Sequence, residues 1–173
     1  MALVVEDGSS KTDANSYLSV DDADAYNTNH TNSTDWSGAE TADKEKALRR
    51  ATQYLDMRFN MMWRGVRSER AQALDWPRFD VEDYDGYAIY GDEIPQCLKD
   101  ACAELALRAL DEEIMPDLAA GGGALLKSKS VKVGPISSSK VYGTAGSSPF
   151  KRYTKVDALI RELIIPAGQI VRG

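Results

Sequence analysis

Few residues of this chain could do chemistry, and their spacing argues against most of it. Lys127-Ser128 closes a glycine-rich run beginning at Gly121, as a phosphate-binding loop would. Leu126 stands where that loop needs its second glycine, and the run follows a helical segment instead of a strand, so a hinge explains the three glycines better. Asp83, Asp85, Gly86 and Asp92 resemble part of a calcium loop, but Val81 holds the first ligand position and no glutamate closes it. Cys97 and Cys102 lie five apart on one expected helix, beyond disulfide reach of each other. A zinc site would need more soft ligands than these and His30, which sits among asparagines. No serine has a paired base, and neither cysteine has an activating partner. The expectation is a protein with no catalytic residues, no metal and no cofactor.

One constellation remains. Trp63, Arg64, Arg67, Arg70, Trp76 and Arg78 interleave aromatics with arginines, as single-strand binders do. The competing expectation is that both tryptophans anchor the core and the arginines pair with local acids or a neighbouring subunit. Charge favours the second. Residues 1 to 117 hold 12 Lys and Arg against 25 Asp and Glu, a net of −13, whereas residues 118 to 173 hold 9 against 2, a net of +7. Nucleic acid is repelled by the acidic region unless the arginines are isolated from it. Between Leu118 and Val156 there is no carboxylate, but there are seven cations, among them Lys129, Lys132 and Lys140. Such a two-ended molecule suits a nucleic-acid contact or subunits that pack acidic face to basic arm.

The elements that must position these residues follow from periodicity. Ala2 to Val5 could form a short strand or arm. Ser19, with Asp21 and Asp22 after it, caps a helix from Val20 to about Asn29, and the polar stretch Asn27 to Ser37 reads as a loop. A second helix starts near Thr41, or earlier if Ser37 and Glu40 form a capping box. It carries Leu48, Ala51, Leu55 and Phe59 inward, and Lys44, Glu45, Lys46, Arg49 and Arg50 on a solvated or intersubunit face. Asn60 to Gly91 reads as an ordered irregular loop whose aromatics need burial. A third helix from Asp92 or Glu93 to about Glu113 has a continuous apolar stripe from Ile94 to Leu110, with Pro95 in its first turn and Pro116 ending it. Ser128 to Val133 and Ile136 to Tyr142 form a two-stranded ribbon turning at Gly134-Pro135. A capping box at Thr154 and Asp157 opens a last helix bearing Val156, Leu159, Ile160 and Leu163, stopped by Pro166.

The expected fold is therefore mainly α: a small helical bundle with a projecting two-stranded β-ribbon and a C-terminal helix plus tail. At 173 residues one domain is the default, with a helical body over about 15–118 and 153–165, a ribbon arm over 127–143 and a tail over 166–173. The longest apolar runs are too short for a membrane span and the N-terminus lacks a signal-peptide pattern. A reduced protein made inside the cell is expected.

Ala14-Asn15-Ser16-Tyr17, the helix Lys44 to Asp56, Gln72-Ala73-Leu74-Asp75-Trp76-Pro77-Arg78, and Glu93-Ile94-Pro95 leading to Ala103-Glu104-Leu105-Ala106 carry a resemblance. Together they resemble the head-tail connector, or adaptor, proteins of tailed bacteriophages, a group often labelled DnaT-like single-strand-binding proteins. The likeness covers most of residues 1 to 160 and is most specific at Trp-Pro-Arg and Glu-Ile-Pro. It implies a virion neck protein, present in the host cytoplasm during assembly, that forms a twelve-fold ring between portal and tail. Genomic DNA would pass through its lumen without specific binding. The implied partners are further copies of the chain, the portal, and a downstream tail or neck protein. Ile164, Ile165, Gln169, Ile170, Val171 and Arg172 would dock on the portal; Lys129, Lys132, Lys140 and Tyr142 would meet a neighbouring subunit or the tail. The alternative carried by the group's label is a single-strand-binding replication accessory using Trp63, Arg64, Arg67, Arg70, Trp76 and Arg78.

Overall fold

Ser19 opens α1, Val20–His30, by accepting a hydrogen bond from the Asp22 N–H, with Asp21 and Asp22 in the first turn as the helix dipole favours. The structure is a computed structural model that describes residues 2–31, 33–116, 128–133, 136–141 and 151–165. The expected loop over 27–37 is a correction: α1 runs on to His30, and Ser33 caps a further short helix, α2, Thr34–Gly38. Its single tryptophan explains it. Trp36 is buried, its indole N–H donates 2.7 Å to Asp24 Oδ1, and Lys44 reaches the same carboxylate at 2.9 Å across the ring face.

The long helix α3, Thr41–Phe59, and α4, Gln96–Asp111, form the central packed pair. Leu48, Ala51, Leu55 and Phe59 of α3 meet Leu98, Ala101, Cys102 and Leu105 of α4 in one core, and burial pushes the Cys102 thiol up to about 12. Glu40 caps α3 without a side-chain bond, so no capping box forms with Ser37. Pro95 stands at the cap of α4, just before the first helical residue. Two residues expected on an outer face are bound within the chain: Lys44 holds Asp24, and Arg50 donates to the Ala109 and Glu112 carbonyls and pairs with Glu113 at the end of α4. A guanidinium on these terminal carbonyls is where the helix dipole places a cation.

Between α3 and α4 the expected loop contains two small antiparallel hairpins. β1, Val66–Arg67, pairs with β2, Arg78–Phe79; β3, Val81–Glu82, pairs with β4, Ala88–Ile89. The N-terminal segment is held as a loop by a buried carboxylate. Glu6 accepts from the N–H groups of Gly8, Ser10 and Lys11 at 2.8 to 3.0 Å, and Val5 bridges Ser16.

After residue 152 the chain returns as α5, Thr154–Leu159, and a 3-10 turn, Arg161–Leu163. Thr154 is helical and not a cap, so the expected capping box is absent; Asp157 instead pairs with Arg58 of α3 at 2.7 Å. Glu104 of α4, buried, accepts from Lys155, from Arg108 at 2.8 Å and from Tyr26 of α1 at 3.0 Å. One carboxylate thus ties three helices together.

A second unit spans Met115–Arg152. Within it β5, Ser128–Val133, and β6, Ile136–Val141, pair antiparallel as expected, with Lys129 opposite Lys140 and Val133 opposite Ile136. The chain is mainly helical. The glycine hinge, the Gly134-Pro135 turn, Pro166 and the tail lie outside the described residues. No helix among the described residues is long and apolar enough to cross a membrane.

Candidate protein-binding groove

The loop Gln72 to Arg78 is built by its own polar residues. Gln72, buried, donates from Nε2 to the carbonyls of Leu74 and Pro77 at 2.9 and 3.1 Å and accepts from the Glu69 N–H. Arg78 donates to the carbonyls of Arg64, Gly65 and Asp75 at 2.7 to 3.1 Å, closing β2 onto β1. Arg67 does the same to Gln72 and Leu74. From behind, Tyr17 Oη donates to Asp56 and accepts from the N–H groups of Asp75 and Trp76 at 3.1 and 3.2 Å. Burial pushes the Asp56 carboxyl up to about 7, helped by the charge of Asp75 and opposed by the Tyr17 hydrogen bond.

That scaffold buries both tryptophans of the expected single-strand site. Trp63 is 4% exposed and Trp76 fully buried, packed edge to face with centroids 5.9 Å apart. The Trp63 indole N–H donates 3.1 Å to Asp75. Neither offers a face on which a base could stack. Arg64, Arg67 and Arg78 spend hydrogen bonds on backbone carbonyls, and Arg70 is exposed. Five of the six residues, all but Arg70, are brought together, but as a loop's internal fastening.

What the same loop exposes is different. Phe79 is half exposed, with one ring edge against Gly91, where a Cβ would fall 2.1 Å from Phe79 Cε1. Gly65, at φ +65°, passes so close to β2 that a Cβ would meet the Phe79 carbonyl at 2.0 Å, so only glycine lets the hairpins close on each other. Between them lies an open groove of about 940 Å³, with Val66, Phe79, Val81, Ile89 and Tyr90 supplying apolar surface. Asp80 and Glu82 stand on its exposed rim, with Asp83 and Asp85 in the adjoining turn. The tyrosines expected to need burial, Tyr84, Tyr87 and Tyr90, are 64 to 73% exposed here. Single apolar residues on a surface are ordinary; a contiguous set lining a groove marks an interaction surface.

No sequence signal marks this groove, because two-residue strands are too short for alternation to be seen. Of the residues expected to meet a portal, Ile164 bridges Trp63, and the Ile165 N–H donates 2.7 Å to the Met62 carbonyl, so both are half-buried against the body beside the groove. Gln169, Ile170, Val171 and Arg172 lie outside the described residues, as does Tyr142. Lys129, Lys132 and Lys140 are on the ribbon strands. Among the described residues no cluster of three or more metal-ligating side chains exists.

Neither the curated proteins nor the solved structures contain a match to the chain. A family model described as "Putative DnaT-like ssDNA binding protein" matches residues 1–173. The chain belongs to that family.

Proposed function

We propose that this protein works by binding other proteins, as a structural head-to-tail adaptor that forms a ring between the portal and tail of a phage particle, and that it catalyses no reaction. The observation that carries the reading is the use of the Trp-Arg constellation. Its aromatics are interior and three of its arginines fasten backbone, whereas the surface left open is apolar with a carboxylate rim. Acidic surroundings disfavour phosphate and favour a partner with cationic and apolar side chains. An acidic body also suits a channel through which DNA must slide without being held. The adaptor identity itself rests on the sequence resemblance, and the family description names single-stranded DNA instead.

That description favours a second reading, single-strand binding. On this fold the exposed Phe79, Tyr84, Tyr87 and Tyr90 would have to do the stacking, next to Asp80, Glu82 and Asp85. Two assays separate the readings. Mixed with portal rings from the same genome and resolved by size, the adaptor co-migrates at about one copy per portal subunit; failure to co-migrate at micromolar concentration counts against it. In an oligonucleotide titration at low salt, a single-strand binder saturates, weakens steeply with added salt, and loses roughly 1–3 kcal/mol on Tyr87→Ala. The adaptor reading expects no saturable binding.

A further inference from the structure

We propose that the groove between the β1–β2 and β3–β4 hairpins seats the β5–β6 ribbon of a second copy of this chain. The inference deepens the assembly reading, on which it rests, by naming the contact that joins neighbouring subunits. The groove suits a partner with both apolar and cationic side chains, since Val66, Phe79 and Tyr90 line it, and the carboxylates of Asp80 and Glu82 outnumber its one lining cation, Arg64, which donates to the Ile164 and Glu82 carbonyls. The chain carries such a segment: residues 128 to 141 contain Lys129, Lys132 and Lys140 and no carboxylate. Within that segment β5 and β6 place Lys129 directly opposite Lys140, and Val133 opposite Ile136. Like charges in register destabilise a strand pair, and a two-stranded ribbon is marginal by itself. Carboxylates from another molecule would relieve the first problem, and apolar cover would relieve the second. Among the described residues each hairpin at the groove has only two strands, and a strand edge is the usual template for an added strand. A groove on one copy and a ribbon on the next make a heterologous contact, which propagates and closes into a ring when the rotation permits.

Disulfide trapping on the full chain tests this, with Cys97→Ser as background and the buried Cys102 retained. One protein carries Glu82→Cys and the other Lys132→Cys; they are mixed under mild oxidation. The expected result is a mixed cross-linked dimer forming roughly tenfold faster than either self-pair, and suppressed in about 1 M salt, where screening falls to about 3 Å. Independently, Asp80→Asn with Glu82→Lys weakens self-association by roughly tenfold or more, and Lys129→Glu with Lys132→Glu in the mixing partner restores it. Circular dichroism confirms that each variant is folded. If the wild-type chain associates but the mixed cross-link shows no excess and the charge variants leave association unchanged, the groove is not the seat, while the assembly reading stands. If both cysteines on one chain cross-link only internally at high dilution, the ribbon belongs to its own groove and the proposal is overturned. A wild-type chain that remains monomeric with and without portal overturns both.

Discussion

Replacing Glu104 with glutamine preserves the side chain's shape and removes its charge, and the structure sets the cost. The carboxylate is 2% exposed and accepts from Tyr26, Arg108 and Lys155, so α1, α4 and α5 all depend on it. A hydrogen bond to a charged group contributes roughly 1.5–3 kcal/mol. Here the donors are partly wet: the Arg108 and Lys155 side chains are 31% and 50% exposed, so water recovers part of what each loses. The expected loss is about 2–3 kcal/mol, which for a chain of this size lowers the melting temperature by about 6–9 °C. Burial alone would raise the pKa of Glu104, but donation from Lys155, Arg108 and Tyr26 outweighs it and holds the carboxyl below its ordinary value of 4.5. Its stabilisation is therefore present above that value and fades as acid titrates the folded state, so wild type and variant should converge at low pH. Urea melts at pH 7 and at pH 3.5 provide the assay, read as a change in midpoint at constant slope. A loss below about 1 kcal/mol at pH 7, or a gap that widens in acid, would refute the view that this carboxylate ties the three helices.

Three further outcomes follow from the same structure. Asp56 acts with the opposite sign to Glu104: its folded pKa of about 7 lies above its ordinary 3.8, so its contribution is full in acid and is lost as pH rises through about 7, and Asp56→Asn should flatten that limb of a stability–pH curve. Gly8→Ala places a Cβ 1.8 Å from the Asp92 carbonyl at φ +104°, so the N-terminal loop must shift; amide exchange should show lost protection around residues 6 to 11 and a destabilisation above about 1 kcal/mol. Trp76→Ala removes a fully buried ring and should cost about 3–5 kcal/mol of stability, measured by thermal melting. A folded Trp76→Ala protein with unchanged stability and weakened oligonucleotide affinity would favour the stacking alternative.

Long periodic segments were legible. The cap of α1, the apolar stripes of α3 and α4 and the alternation of the ribbon could be read from one sequence, whereas the expected capping box of α3 and the start of α4 could not. Short-range structure was not. The helix over Thr34–Gly38 is five residues long, and only the burial of Trp36 against Asp24 and Lys44 justifies it, a contact made across the fold. Glu6 looks like one more surface acid, yet its carboxylate organises a loop because three backbone N–H groups converge on it. Thr154 and Asp157 match a capping box, but Arg58 offers Asp157 a charged partner and the pair forms there instead. The candidate groove itself was not visible: the interleaved tryptophans and arginines stood out beside it, but sequence cannot tell a ring that stacks on a base from one that stacks on its neighbour. Gly65 and Gly91, which let two hairpins close around Phe79, carry no signal until the distances are known.

As the proposed adaptor, this chain would be a stoichiometric part of a particle and not a handler of single strands. Quantitative mass spectrometry of purified particles from the genome that encodes it tests this most directly, with the portal protein as internal standard. An adaptor is expected at about one copy per portal subunit, retained after nuclease treatment. Absence from particles, with abundant protein in infected cells, would contradict it and place single-strand binding first.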